Sequence, residues 1–286
     1  MKKNRILRLT ALAVIAALLA GCAAPAQQTE PEADVTGTEL TVYCFSAGKA
    51  DAFLLYTENS AVLIDTGESG FGKTILAYME AHGIEKLDYL IITHFDKDHV
   101  GGAKKILESL EVGTVLQSNC PKDASAYNKY TAALEAAGLE AVTVREDLTF
   151  TLDGVVYTVN PPAQETYASD ESNNSSLIVS VKSGQNRLLF AGDAEDARLS
   201  EFLATDPGQY DFLKVPYHGH WQSALQTLIK TVSPSYAVIT SSDDEPEDEQ
   251  TLDLLAQLGI ETFLTRNGAV TIRSDGTTLT AEYSGS

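Results

Sequence analysis

Thr93-His94-Phe95-Asp96-Lys97-Asp98-His99 sets four residues with metal-binding side chains into a span of six, directly after the apolar run Leu90-Ile91-Ile92. A lone Asp or His in a turn is ordinarily only solvated. Two imidazoles and two carboxylates at the end of one predicted strand can instead be brought into a single small volume. Nitrogen and hard oxygen donors in combination suit one or two divalent cations such as Zn²⁺ or Mn²⁺. Val100-Gly101-Gly102 and a helical pattern follow, so the spacing predicts ligands that project, alternating along a strand end, into a tight turn.

The chain opens on Lys2, Lys3, Arg5 and Arg8, runs apolar from Leu9 to Leu19, and reaches Leu19-Ala20-Gly21-Cys22. A basic head, an apolar core too short to span a bilayer comfortably and a small-residue end make the pattern of an export signal, here residues 1–22. The last four residues resemble the bacterial lipobox. That resemblance implies cleavage before Cys22, lipidation of Cys22, and a chain anchored by its N-terminal lipid to the extracytoplasmic face of the cell membrane. Residues 23–39 are rich in Ala, Pro, Gln, Thr and Glu; without apolar periodicity they cannot bury enough surface to fold, and they read as a disordered tether. Residues 40–286 remain for the folded part, ample for a large α/β domain.

Lys and Arg number 20 against 40 Asp and Glu, a formal net charge of −20, and loss of the signal would remove only basic residues. Such a field disfavours tight, non-specific binding to polyanions. A nucleic-acid substrate would therefore depend on metal ions and a local basic rim. The acidic run from Asp243 to Glu249 reads as a solvated loop and helix N-terminus. Cys44 and Cys120 show neither zinc nor disulfide spacing, and Cys44 sits in a strand pattern as a small hydrophobe.

Period-two and helical patterns predict strands at 41–45, 52–57 and 61–65, a helix at 72–81, a strand at 87–93, a helix at 103–110, a strand at 113–117 and a helix at 124–137. Further strands follow at 141–144, 148–152, 155–159, 176–181 and 187–191. Helices at 194–203, 223–231 and 250–258 then alternate with strands at 212–215, 236–239, 262–264, 270–273 and 278–282. This order suits two packed sheets with helices on the outer faces. Three more segments place polar residues at strand ends: Ser172-Asn173-Asn174-Ser175-Ser176, Gly192-Asp193, and Tyr217-His218-Gly219-His220. Each is weak alone; their recurrence matters, because functional residues of layered α/β folds gather at such ends.

Taken in order, Leu63-Ile64-Asp65-Thr66-Gly67, His94 to His99, Gly192-Asp193 and His218-Gly219 resemble the metallo-β-lactamase-fold superfamily, whose usual ligand motif is H-x-H-x-D-H. The resemblance points in particular to the ComEC-type DNA-uptake branch, in which Asp replaces the second His and an Asn-Asn-x-Ser-Leu segment stands where others have a further His. It covers about residues 40–272 and implies a four-layer αββα fold, two mixed β-sheets flanked by helices, holding two divalent metal ions, Zn or Mn. Carried over by residue, His94 and Asp96 would serve the first metal, Asp98, His99 and His218 the second, and Asp193 would bridge them. Asp65 would support the metal loops from behind. Asn173 or Asn174 falls where the first metal would otherwise gain a His, which makes that position more oxygen-rich. Two motifs depart from the branch. Its opening F-L-D-V-G-Q-G-D-A reads here Cys44-Phe45-Ser46-Ala47-Gly48-Lys49-Ala50-Asp51-Ala52, and its His-His-Gly-Ser reads Tyr217-His218-Gly219-His220. Either His218, in the family register, or His220 completes the second position.

The resemblance further implies a metal-dependent hydrolase, a phosphodiesterase or nuclease that uses a metal-bridged hydroxide. Asp98 and Asp193 would be catalytic, and Asn173, Asn174, Lys214 and His220 would contact a phosphodiester or other small anionic substrate, DNA included. No protein partner is implied. Two alternatives stay open: hydrolysis of a small lactone, amide or phosphoester, and a non-catalytic lipoprotein that binds metal or ligand.

Overall fold

Along β1 (Leu40–Cys44) every second residue is fully buried, the signature of a strand with one face on a core. The computed structural model describes residues 38–122 and 124–285. The export signal, Cys22 and all of the tether except Thr38 and Glu39 lie outside the described residues. After β1 come β2 (Phe53–Tyr56), β3 (Ala61–Ile64), α1 (Gly72–Ala81), β4 (Lys86–Ile92), α2 (Lys97–Val100), α3 (Ala103–Leu107), β5 (Glu111–Gln117), α4 (Ser125–Ala137) and β6 (Val142–Thr143). The chain continues through β7 (Leu148–Leu152), β8 (Val155–Asn160), α5 (Glu171–Asn174), β9 (Ile178–Ser183), β10 (Asn186–Phe190), α6 (Asp196–Leu203) and β11 (Phe212–Lys214). It closes with α7 (Ser223–Val232), β12 (Tyr236–Ile239), α8 (Glu249–Gln257), β13 (Glu261–Leu264), β14 (Val270–Ser274) and β15 (Leu279–Tyr283).

The strands form two mixed sheets, ordered β15-β14-β1-β2-β3-β4-β5-β6 and β13-β12-β11-β10-β9-β8-β7. Apolar side chains of both, among them Val42, Phe53, Tyr157, Phe190 and Phe212, fill the space between them; Phe53 meets Phe190 edge-on at 5.3 Å. The outer face of the first sheet is covered by α1, α3 and α4, and that of the second by α6, α7 and α8. In α7, Leu225, Leu228, Ile229 and Val232 are buried, the spacing that turns one helical stripe to a core. The four-layer αββα arrangement implied by the resemblance is the one observed.

Strands β3, β4, β10, β11 and β12 each have a parallel neighbour, and the loops leaving their C-terminal ends meet at one edge of the sandwich. Close packing there requires glycine. A Cβ on Gly102 would lie 2.3 Å from the Thr66 carbonyl oxygen, and one on Gly101 would lie 2.6 Å from the Ser69 nitrogen. The start of α3 therefore presses backbone to backbone on the loop that follows β3.

Candidate metal centre

Strand β4 ends at Ile92, earlier than an alternating row of ligands would need. Asp96 is extended (φ −70°, ψ 150°), and its carbonyl accepts the amides of His99 and Val100 at 3.0 Å each, which winds Lys97–Val100 into one helical turn. The expected strand-end alternation is thus corrected: His94 leaves an extended segment, whereas Asp98 and His99 leave a helix. Thr66 fixes that turn, giving the His99 carbonyl both its amide (2.7 Å) and its hydroxyl (2.8 Å).

Three imidazoles are oriented from behind. His99 Nδ1 donates to Asp65 Oδ2 at 2.8 Å, and Asp65 is itself anchored by the amide and hydroxyl of Thr93 at 2.8 and 2.6 Å. His218 Nδ1 donates to the Thr240 carbonyl at 3.0 Å. His94 Nδ1 lies 3.2 Å from the Thr93 hydroxyl and 3.4 Å from that of Ser176. With Nδ1 acting as donor in each ring, Nε2 carries the lone pair. All three Nε2 atoms are buried; that of His94 has no hydrogen-bond partner among the described residues, and those of His99 and His218 face the Asp193 carboxylate. Such a set of back-bonded imidazoles is the arrangement by which proteins aim histidines at a metal.

His218 reaches this position through an unusual backbone. Tyr217, His218 and Gly219 have φ of 50°, 52° and 78°, left-handed conformations that cost of order 1–3 kcal/mol at non-glycine residues. The bend brings His218 Nε2 to 2.9 Å from Asp193 Oδ2 and 3.5 Å from Asp98 Oδ2. His99 Nε2 stands 3.2 Å from the same Asp193 oxygen. Donor atoms of Asp98, His99, Asp193 and His218 all lie within 4.8 Å of one another.

Behind them is a charged layer. Lys214 is fully buried, its ammonium 2.6 Å from Asp51 Oδ2, 2.7 Å from the Gly192 carbonyl and 3.3 Å from Asp193 Oδ1. The Thr240 hydroxyl donates to Asp51 Oδ1 at 2.6 Å. Asp51, Asp65 and His99 also approach one another closely, but Asp51 is held by Lys214 and Asp65 by Thr93, so these groups form the supporting layer. Asp51 and Thr240 escape a search for ligand spacing. A signal does exist for Asp51: it is a lone charge inside the buried stretch Ala50-Asp51-Ala52-Phe53.

The expected substrate contacts of Lys214 and Asn174 are corrected, and three further residues have partners of their own. Lys214 cannot meet a substrate, because its charge is enclosed and neutralised by carboxylates. His220 points away from the centre, its Nδ1 3.6 Å from Asp248 on the surface. Asn174 is buried and structural: its oxygen accepts the Arg198 amide at 3.0 Å and its nitrogen donates to the Ser169 carbonyl at 3.2 Å. Asn173 donates to Glu195 at 2.6 Å. Asp96 is not among the converging donors; the Lys122 ammonium and the Ser172 hydroxyl both bond its Oδ1.

The centre attracts positive charge. Burial alone would depress His99 and His218, but the facing carboxylates, Asp193 foremost, outweigh it and raise both imidazoles above their ordinary range. Burial opposes charge on Asp193 too, yet His218, His99 and Lys214 hold its carboxyl well below the usual range. Burial and the neighbouring His99 push His94 down to about 4, which keeps it a neutral donor. The carboxylates that favour a proton on His99 and His218 would equally favour a divalent cation in its place, with Nε2 then free to ligate, and His94 already offers a neutral nitrogen.

The Metallo-beta-lactamase superfamily profile matches residues 46–241. ComE operon protein 3 of Bacillus subtilis (strain 168) is 29% identical over 210 residues, which cover 70% of this chain and 26% of that protein. Recombination protein 2 of Haemophilus influenzae is 30% identical over 207 residues, covering 70% and 24% respectively. The chain thus spans about a quarter of the length of these curated relatives. The metallo-beta-lactamase fold protein YhfI from Bacillus subtilis superposes with a TM-score of 0.56 at 10% identity, over 86% of this chain and all of that one. That is a likeness of fold. Enzymes of this fold are generally hydrolases. The profile match, the two-sheet architecture and the candidate metal centre agree that the chain belongs to the metallo-beta-lactamase superfamily, with ComEC-type competence proteins among its relatives.

Proposed function

We propose that this protein is a divalent-metal-dependent phosphodiesterase with nucleic acid as its substrate class. One observation carries the metal-dependent part: the Nε2 atoms of His99 and His218 converge with Asp98 and Asp193, and His99, His218 and Asp193 are each backed by a fixed partner. Asp98, His99, Asp193 and His218 would hold a cation, and His94 faces a neighbouring position. When bound, divalent cations supply Lewis acidity and a nucleophile available at neutral pH. The chain's own groups do the rest. Asp98, whose side chain at 16% is the most exposed of the four, orients the attacking water by hydrogen bonding, while Asp65 and Thr240 keep the imidazoles in their donor tautomer. The nucleic-acid part draws support from the kinship with a competence-operon protein and a recombination protein.

The formal charge of −20 favours a second reading, hydrolysis of a small phosphoester, lactone or amide, since little of the surface suits a long polyanion. The full chain supplied with Mn²⁺ or Zn²⁺ should cleave DNA or a bis-aryl phosphodiester, and the His99→Ala/Asp193→Ala double variant should not. Turnover of lactones alone would select the second reading; metal uptake without turnover of any substrate would select a binding role. Leu19 to Cys22 supports export and lipid anchoring as part of the same proposal. Cys22→Ser should abolish fatty-acid labelling and release the protein from membranes, and unchanged labelling would refute the anchor.

A further inference from the structure

Resting on the metal-dependent reading above, we propose that Lys122 is a latch on Asp96 that makes metal binding stepwise: one position is built, and the other opens only when the ammonium leaves.

The two halves of the centre are not equivalent. Asp98, His99, Asp193 and His218 already present converging donors, whereas no such grouping among the described residues includes His94 or Asp96. His94 is ready on its side, with a buried, partnerless Nε2. Asp96 is not. Lys122 Nζ and Ser172 Oγ both engage Asp96 Oδ1, and they lie 3.4 Å from each other, so they form a closed triangle with the carboxylate. Asp193 adds to the asymmetry. Its Oδ1 faces Lys214 at 3.3 Å, leaving Oδ2 as the oxygen that meets the histidines.

An ammonium and a divalent cation cannot share one carboxylate oxygen at close range without strong repulsion. On Asp193 the ammonium of Lys214 is offset by Asp51, but the only ion pair of Lys122 among the described residues is with Asp96, so a cation at the His94–Asp96 position is repelled until Lys122 leaves. It is able to. Its side chain is 42% exposed and that of Asp96 28%, and lysine is a point charge on a flexible four-carbon stem that hydrates readily. Lys214, fully buried in the same centre, has no such exit. Lys122 is joined to Asp96 by nothing in the local sequence, being brought there by the segment between β5 and α4.

The test is a metal titration of the chelator-stripped full chain with Mn²⁺ or Zn²⁺ against a chromophoric competitor, read as stoichiometry and stepwise affinity. The native chain should take one ion tightly and a second more weakly by at least about ten-fold. Relief of the repulsion between an ammonium and a divalent cation on one carboxylate is worth on the order of ten-fold in affinity at a partly exposed position. Lys122→Met should accordingly tighten the second step by about ten-fold or more and leave the first unchanged, and Lys122→Arg should keep the gap. Ser172→Ala, which leaves the ammonium in place, should move the second step less than Lys122→Met does. Two equal steps in the native chain, or a second step indifferent to Lys122→Met, would overturn the latch while leaving the metal-dependent reading intact. No stoichiometric uptake by any form would overturn both. Circular dichroism of each variant guards against misfolding; should Lys122→Met fail to fold, Lys122→Gln reads the same step.

Discussion

Lys214→Met should destabilise the fold far more than an ordinary lysine substitution. The side chain is wholly enclosed, with its ammonium 2.6 Å from Asp51 and 3.3 Å from Asp193. Methionine keeps most of the volume but removes the charge, so two buried carboxylates lose their counter-ion. Breaking a buried pair from one side costs about 3–5 kcal/mol, because the remaining charge is left uncompensated. For a domain of this size each kcal/mol corresponds to about 2–4 °C, so the melting temperature should fall by roughly 6–20 °C. Removing Asp51's charge as well should restore part of the loss. The Lys214→Met/Asp51→Asn chain should be more stable than the sum of the single effects requires, with a coupling of at least about 1 kcal/mol. Urea unfolding of the full chain in excess chelator measures this without a contribution from bound metal, as a midpoint shift at constant slope. A single-variant loss under about 1 kcal/mol, or an additive cycle, would show that Lys214 is not the internal counter-ion described here.

Other substitutions separate residues that the sequence left equivalent. His218→Ala should lower affinity for the tightly held ion by a factor of a hundred or more, an order-of-magnitude expectation for losing a ligand outright, while His220→Ala should leave it within about two-fold; equilibrium dialysis decides, and the reverse result would move the ligand to His220. Asp65→Asn keeps the shape but replaces the acceptor of His99 Nδ1, so metal affinity should drop by roughly 10–100-fold; an unchanged affinity would refute the supporting role. Gly102→Ala drives a methyl to 2.3 Å from the Thr66 carbonyl and should cost about 1–3 kcal/mol or more in a denaturant melt. A neutral outcome would mean that the loop after β3 is less tightly held than the packing indicates.

Most strands and longer helices were legible because their signals are local. Alternation buries every second residue of β1, and the stripe in α7 needs only its own spacing. The one-turn helices α2 and α5 were not legible, since four residues are too few to show a helical period. Glu247 shows the same limit inside the acidic run: read as solvated, it is buried against Arg266 at 2.8 Å. His82, which follows α1, bonds the Tyr78 carbonyl at 2.8 Å while stacking on the Tyr78 ring.

By itself the sequence determined the order of elements, the strand-end location of the chemistry and the identity of the residues able to bind metal, because motif, period and residue type are properties of neighbours along the chain. Only the tertiary structure decided where each side chain points and which charge answers which. The left-handed bend at Tyr217-His218-Gly219 turns His218 inward and His220 out. Lys122, far along the chain from Asp96, takes that carboxylate, and Lys214 proves to be an internal counter-ion rather than a rim group. Direction and ion pairing depend on distances through space, and those are set only once both sheets have packed.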